Sequence, residues 1–264
     1  MTEHLFCVAF RCATAELSTS SPIRFVLVRT SPPGNIGAAA RAIRTMGFRR
    51  LGLVAPHRFP HPEAVALAAG ADEELDKAAV TPTLVEAVAD CTLVLGCTAR
   101  KRVVQLEELS PRQAAARALA ASAHGEVALV FGNERTGLAN EHVEQCSALA
   151  HIPANPAYSS LNLAQAIQVL AYELRVAFLE QGSGLHHAQA EVGTLAQSDE
   201  IERMYAHLEN ALVALDFLDP RNPKKLMPRL RRLFARTGLE REEVNILRGI
   251  LARIDDVAGP AAPP

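Results

Sequence analysis

Four stretches of the chain hold residue types that could do chemistry, and each begins where an apolar run ends. The first, Thr30-Ser31-Pro32-Pro33-Gly34-Asn35-Ile36-Gly37, leads into a helix carrying Arg41. The second is Gly96-Cys97-Thr98-Ala99-Arg100-Lys101-Arg102, and the third is Phe131-Gly132-Asn133-Glu134-Arg135-Thr136-Gly137-Leu138. The fourth runs from His151-Ile152-Pro153 through Ser159-Ser160-Leu161-Asn162 into a long helix. Glycine and small polar residues let the backbone close around a compact ligand, and free N–H groups at a helix start favour an acceptor in front of them. Ser159 or Ser160 is expected to cap the fourth helix, with Leu161 and Asn162 in its first turn. Alone that describes an ordinary capped helix; the loops of similar character upstream favour a binding site.

Several familiar chemistries fail on these residues. Gly132 and Gly137 have the spacing of a nucleotide-binding P-loop, but Leu138 and Ala139 stand where Lys and Ser or Thr must hold phosphate and magnesium. No G-x-G-x-x-G follows a strand, and neither G-x-S-x-G nor H-E-x-x-H occurs. On the helix after the first loop, Ile36, Ile43 and Met46 mark the buried stripe. Arg41, two residues from Ile43, therefore points to solvent or to a ligand.

The elements that must position these loops alternate. Strands are expected at Ile23–Val28, Leu51–Val54, Thr92–Gly96, Val127–Phe131 and about Leu149–Ile152. Helices are expected at Ile36–Met46, closed by Gly47, after Thr81-Pro82, from Ser110-Pro111 to Gly125, and from about Ser160 to Glu180. Apolar strands separated by helices imply an α/β fold with a mostly parallel sheet covered on both faces. Such sheets bind ligands at the carboxyl ends of their strands, where all four stretches fall.

With 264 residues, 49% of them hydrophobic, the chain can bury a full core and carry a second small module. Residues 1–22 read as a disordered extension, 23–180 as the main domain, 181–198 as a linker, 199–258 as a helical module and 259–264 as a tail. The module's helices are expected at Asp199–Phe217 and about Glu240–Ile254. His186 and His187 in the linker have no acidic or cysteine partner nearby, so no metal site is expected. The five cysteines lack metal-type pairing and suit a reducing compartment. No apolar run reaches the roughly 20 residues of a membrane helix, and the first twenty residues make a poor signal peptide, so the cytoplasm is the expected compartment.

Net charge is −2, yet Arg221, Lys224, Lys225, Arg229, Arg231, Arg232 and Arg236 form a block without a single acid. Smaller basic clusters lie at Arg41, Arg44, Arg49 and Arg50 and at Arg100, Lys101 and Arg102. Any one could be a solvated surface; three in a net-acidic chain point to a phosphate-rich partner.

Asn35 with Arg41, Phe131-Gly132-x-Glu134-x-x-Gly137-Leu138, and Ile152-Pro153 followed by Ser159-Ser160-Leu161-Asn162-Leu163 together resemble the three motifs of the SPOUT RNA 2′-O-methyltransferases, in particular the TrmJ-type tRNA methyltransferases. The resemblance runs from about Ile23 to Ile254. It implies a trefoil knot late in the parallel-sheet domain, a homodimer, and S-adenosylmethionine held by Cys97, Thr98, Ala99, Gly132, Ile152, Ser159, Ser160 and Leu161. It implies methyl transfer to the ribose of tRNA nucleotide 32, with Arg41, Asn35, Ser160 and Asn162 as catalytic candidates and Glu134 in support. Arg100, Arg102, Lys224, Lys225, Arg229, Arg231 and Arg232 would contact the RNA. Pro32 departs from the pattern, standing where relatives often carry histidine. Two alternatives remain open: a different tRNA or ribosomal RNA nucleotide, and an RNA-binding protein that keeps the fold without catalysis.

Overall fold

The computed structural model describes residues 21–99, 106–182 and 194–258. Seven strands form one sheet: β1 (Ile23–Val28), β2 (Arg50–Val54), β3 (Ala79–Thr81), β4 (Cys91–Cys97), β5 (Glu108–Leu109), β6 (Glu126–Phe131) and β7 (Ala148–Ala150). They lie in the order β3-β2-β1-β6-β4-β7-β5, and every pairing is parallel. The helices are α1 (Pro33–Thr45), α2 (Pro62–Ala68), α3 (Asp72–Asp76), α4 (Leu84–Val88), α5 (Pro111–Ser122), α6 (Asn140–Val143), α7 (Leu163–Gly182), α8 (Ser198–Ala214), α9 (Leu226–Ala235) and α10 (Arg241–Ala258).

The central strands β1, β2, β4 and β6 are largely apolar because both their faces are covered. Phe25 and Leu27 of β1 and Leu129 and Phe131 of β6 meet α1, α5 and α7 in one core, with Ile36, Ile43, Ala118, Ile167 and Leu170. The alternate residues Val26, Val28, Ala128 and Val130 meet Leu84, Val88 and Val143 in a second core on the other face. Phe25 stacks on Phe131, ring centroids 6.3 Å apart, and tilts against Phe48 at 5.5 Å.

Between Ala55 and Thr81, where the sequence suggests no element, lie α2, α3 and β3. Elements of three to seven residues are too short to display a period. His61 opens α2 by accepting the Glu63 N–H at 3.2 Å. The cap of α4 is Thr83, whose Oγ accepts the Glu86 N–H at 3.3 Å, and not Thr81-Pro82. Within the basic block lies α9, not among the expected helices, although Leu226, Met227, Leu230, Leu233 and Phe234 keep a helical spacing between its charges.

A third core joins α8 and α10 through Met204, Tyr205, Val244 and Leu251. Part of the expected linker belongs to this assembly: Ala196 N–H donates to Leu239 O at 2.9 Å and Arg241 N–H to Thr194 O at 2.8 Å. The start of α8 is fastened to the sheet domain where Asp199 N–H donates to Ala89 O at 3.1 Å. The rest of the linker, the tail and residues 1–20 lie outside the described residues, among which no helix is long and apolar enough to cross a membrane.

Helix α1 packs against α2 and α7, which fixes the first loop beside the sheet edge. The α1–α2 contact depends on Gly37, where an added Cβ would stand 1.9 Å from Ala64 O and 2.9 Å from Ala68 N. Those backbone atoms cannot yield without moving a helix. Gly37→Ala is expected to cost about 1–3 kcal/mol, as overpacking does, and to lower Tm by roughly 5 °C in calorimetry. An unchanged Tm would show that the two helices separate freely.

Candidate functional site

Strands β6, β4 and β7 are neighbours in the sheet, so the loops that follow them share one edge. Two of these loops are joined by hydrogen bonds: Thr98 N–H donates to Ala150 O at 3.0 Å, and His151 Nδ1 lies 3.1 Å from Thr98 O. The loop after β6 folds back on itself through Asn133. Its O accepts the Gly137 N–H at 2.7 Å, and its Oδ1 accepts the Arg135 N–H at 2.9 Å. Gly137 takes a left-handed φ of 68° to close the turn. Gly132 sits beneath it, where a Cβ would come within 2.1 Å of Leu138 N.

These loops enclose a cavity of about 130 Å³ that opens to solvent. Its walls include Cys97, Thr98 and Ala99 from the end of β4 and its loop, and Gly132 and Glu134 from the loop after β6. Ile152, Ser159, Ser160 and Leu161 come from the loop after β7. All eight residues that the sequence associates with the methyl donor are thus brought together. Protein packs around the Cys97 sulfur, and this burial pushes the thiol up to about 12, so it serves as a neutral wall and not as a nucleophile.

The helix that follows differs from expectation in where it starts. Its cap is Asn162, whose Oδ1 accepts the Ala164 N–H at 2.9 Å while Gln165 Oε1 accepts the Asn162 N–H at 3.2 Å. Asparagine caps as well as serine, and the reciprocal bond needs Glu or Gln three residues on. Asn162 has Gln165 there; Ser159 and Ser160 have Asn162 and Leu163. The two serines and Leu161 therefore stay in irregular, exposed backbone that faces the cavity.

Glu134 ties the first loop to this turn. Its Oε2 accepts the Ser31 N–H at 3.1 Å and its Oε1 accepts from Asn35 Nδ2 at 2.8 Å. Asn35 Oδ1 in turn accepts from Asn162 Nδ2 at 3.1 Å. An ionised carboxylate only accepts hydrogen bonds. The Asn35 amide must therefore turn its NH₂ toward Glu134 and its oxygen toward Asn162, which leaves Asn162 Oδ1 pointing at the helix start. One carboxylate sets the sense of every bond in the series.

Arg41 lies on the outer side of α1, exposed, and its guanidinium has no partner among the described residues. Of the expected RNA contacts, Arg100 and Arg102 lie outside the described residues. Lys224, Lys225 and Arg229 are exposed, and Arg232 is half-buried. Arg231 forks onto Glu202 at 2.6 and 2.8 Å, lies 4.4 Å from the Tyr205 ring centroid and so holds α9 to α8. Ser31, Asn133, Leu163 and Ala166 were given no role of their own in the sequence. Leu163 and Ala166 also line the cavity, and their three-residue spacing beside the cap was the available signal.

The polarity of the Glu134 series is testable by moving its charge. In Glu134→Gln some donor must face a donor, at Ser31, at Asn35 or at the Asn162 cap, with an expected loss of about 1–2 kcal/mol in urea unfolding. The double variant Glu134→Gln/Asn35→Asp restores an acceptor for every donor and should recover most of that loss. Equal instability of the single and double variants would refute the polarity argument.

Residues 22–172 match the SpoU rRNA methylase family and residues 199–262 match the C-terminal domain of the tRNA methyltransferase TrmJ. The tRNA (cytidine/uridine/adenosine-2′-O-)-methyltransferase TrmJ of Pseudomonas aeruginosa (strain UCBPP-PA14) is 49% identical over 243 residues, which cover 89% of this chain and 95% of that one. The tRNA (cytidine/uridine-2′-O-)-methyltransferase TrmJ of Escherichia coli (strain K12) is 47% identical over 236 residues, 88% and 95% of the two chains. The crystal structure of TrmJ from Z. mobilis ZM4 aligns with a TM-score of 0.75 at 36% identity, across 88% of this chain and 98% of that one. With the parallel-sheet part and the helical part each matched in the same order, this chain belongs to the SpoU methylase family, in its TrmJ branch.

Proposed function

We propose that the chain transfers a methyl group from S-adenosylmethionine to the ribose 2′-hydroxyl of nucleotide 32 in the tRNA anticodon loop, in the cytoplasm and as a homodimer. The observation that carries this reading is the single cavity built by three separate loops from all eight donor-contact candidates. Ile152, Leu161, Leu163 and Ala166 give it an apolar side suited to an adenine ring, while Thr98, Ser159 and Ser160 supply hydroxyls for the polar end. The relatives named above are tRNA 2′-O-methyltransferases. Late insertion of β7 between the earlier strands β4 and β5 suits the family's trefoil knot.

The bound donor would supply an electrophilic sulfonium methyl group. What remains for the protein is to align the 2′-oxygen with it and to ease loss of the hydroxyl proton to solvent. A guanidinium stays protonated at ordinary pH, so Arg41 works as a fixed cation and not as a base. It orients the ribose-phosphate and stabilises the developing alkoxide. Asn35 and Asn162, held in one sense by Glu134, keep the first loop and the Ser160 turn in register.

The homodimer reading rests on α7. Val169, Tyr172, Val176 and Leu179 recur at three and four residues along it and remain exposed or half-buried, with Tyr172 54% and Leu179 44% accessible. A second copy of the chain would cover this stripe and bring Arg41 to the partner's donor site. Lys224, Lys225 and Arg229 would hold phosphates of the anticodon stem, joined by Arg100 and Arg102.

Methyl incorporation from labelled donor into unmodified tRNA, followed by mapping of the modified ribose, tests the reaction and its position. Arg41→Lys is expected to lower kcat by about 100-fold with donor affinity unchanged, because one ammonium cannot reproduce a fork of donors. Full activity of that variant would exclude the geometric role. Replacing Lys224, Lys225 and Arg229 together with Ala should weaken tRNA binding and flatten its salt dependence by roughly one unit of slope per lost phosphate contact. Unchanged binding would remove the helical module from the tRNA interface.

A further inference from the structure

Of the chain's three tyrosines, two have a structural use. Tyr205 is buried beneath Arg231, and Tyr172 stands in the α7 stripe. Tyr158 is 82% exposed, more than any other large hydrophobic side chain among the described residues, and packs in no core. It directly precedes Ser159, Ser160 and Leu161, which line the cavity. Nor is its position that of a slack loop. Asn155 builds a turn under it, with Oδ1 accepting the Ala157 N–H at 3.0 Å and O accepting the Tyr158 N–H at 2.9 Å. Pro153 and Pro156 stiffen the approach further. The chain thus holds a bare aromatic ring on a braced turn at the rim of its reaction cavity.

We propose that Tyr158 is a stacking platform for a nucleobase of the RNA substrate, the target base or its neighbour, and that it positions the attached ribose over the cavity. This rests on the reading of the chain as an RNA ribose methyltransferase. A ribose can be presented to a small cavity only if its base is drawn out of the loop stack, and an unstacked base is held by an aromatic face. Stacking is tolerant of base identity because every base has a π face, so such a ring fixes position without demanding one base. The hydroxyl of Tyr158 has no partner among the described residues, which leaves the ring as its working part.

The test compares Tyr158→Ala, Tyr158→Phe and Tyr158→Trp in the full-length protein. Loss of one base stack lowers kcat/KM for tRNA by roughly 10- to 100-fold in the Ala variant, with donor affinity and particle mass in gel filtration unchanged. The Phe and Trp variants retain activity within a few-fold. A tRNA anticodon stem-loop carrying 2-aminopurine in its loop should be quenched by wild type and Phe but not by Ala. Equal kcat/KM in the Ala variant, or an equal loss in Phe, overturns the proposal. A changed particle mass overturns it in favour of a contact between copies of the chain. Failure of the wild-type protein to methylate any tRNA overturns the underlying reading, and with it this one; wild-type transfer with an indifferent Tyr158→Ala overturns the stacking role alone.

Discussion

A carboxylate with nothing to donate is the constraint on which the site depends. Glu134 sits where the loop after β6 meets the first loop, and both its oxygens are engaged there, by Ser31 and Asn35. Because an acceptor cannot exchange roles with its partners, the amides beyond it can adopt one arrangement only. That arrangement ends at the Asn162 cap, so the start of α7, the exit of β6 and the entry to α1 share one hydrogen-bonded system. The parallel sheet brings those three chain segments near each other; the carboxylate gives them a common geometry.

The sheet makes a matching contribution of its own. Strands with two buried faces cannot shift register without exposing one of two cores, and the stack of Phe25 on Phe131 ties the central pair together. Loops springing from β4, β6 and β7 inherit that rigidity, which suits residues that must hold a ligand within a fraction of an ångström. The helical module is fastened to the sheet domain by the backbone bond from Asp199 to Ala89, while the Arg231–Glu202 pair joins its own helices α9 and α8. Half-exposed ion pairs of this kind add little stability on their own, so its shape relies on the Met204, Tyr205 and Leu251 core.

Much of this was legible in the sequence, for reasons that can be named. Central strands and long helices carry enough apolar residues for their period to show, and the loops stand out by their glycine and small polar residues, while the donor-site places of Cys97 to Ala99 and Ser159 to Leu161 follow from the motif resemblance. The misreadings are equally specific. Serine outcompetes its neighbours as a cap only in isolation; Gln165 tips the choice to Asn162, and a pairwise bond is invisible until both ends are considered. Arg231 belongs to a run that looks uniform in the sequence, and its pairing with Glu202, 29 residues earlier, has no local signature. The orientation of Asn35 depends on residues 99 and 127 positions away and has no local signature.

Gly132 has an implication for selective chemistry. Its wall of the cavity is main chain pressed against main chain, with Gly137 and Leu138 closer to it than any side chain could be. Such a surface cannot be altered one substitution at a time, because a single added carbon would displace the loop. An inhibitor moulded to that wall would gain affinity from atoms that no point mutation can change without losing the site. It would therefore be slow to select resistance. Discrimination must be sought outside, where the braced turn and the basic helices meet solvent and side chains are free to differ.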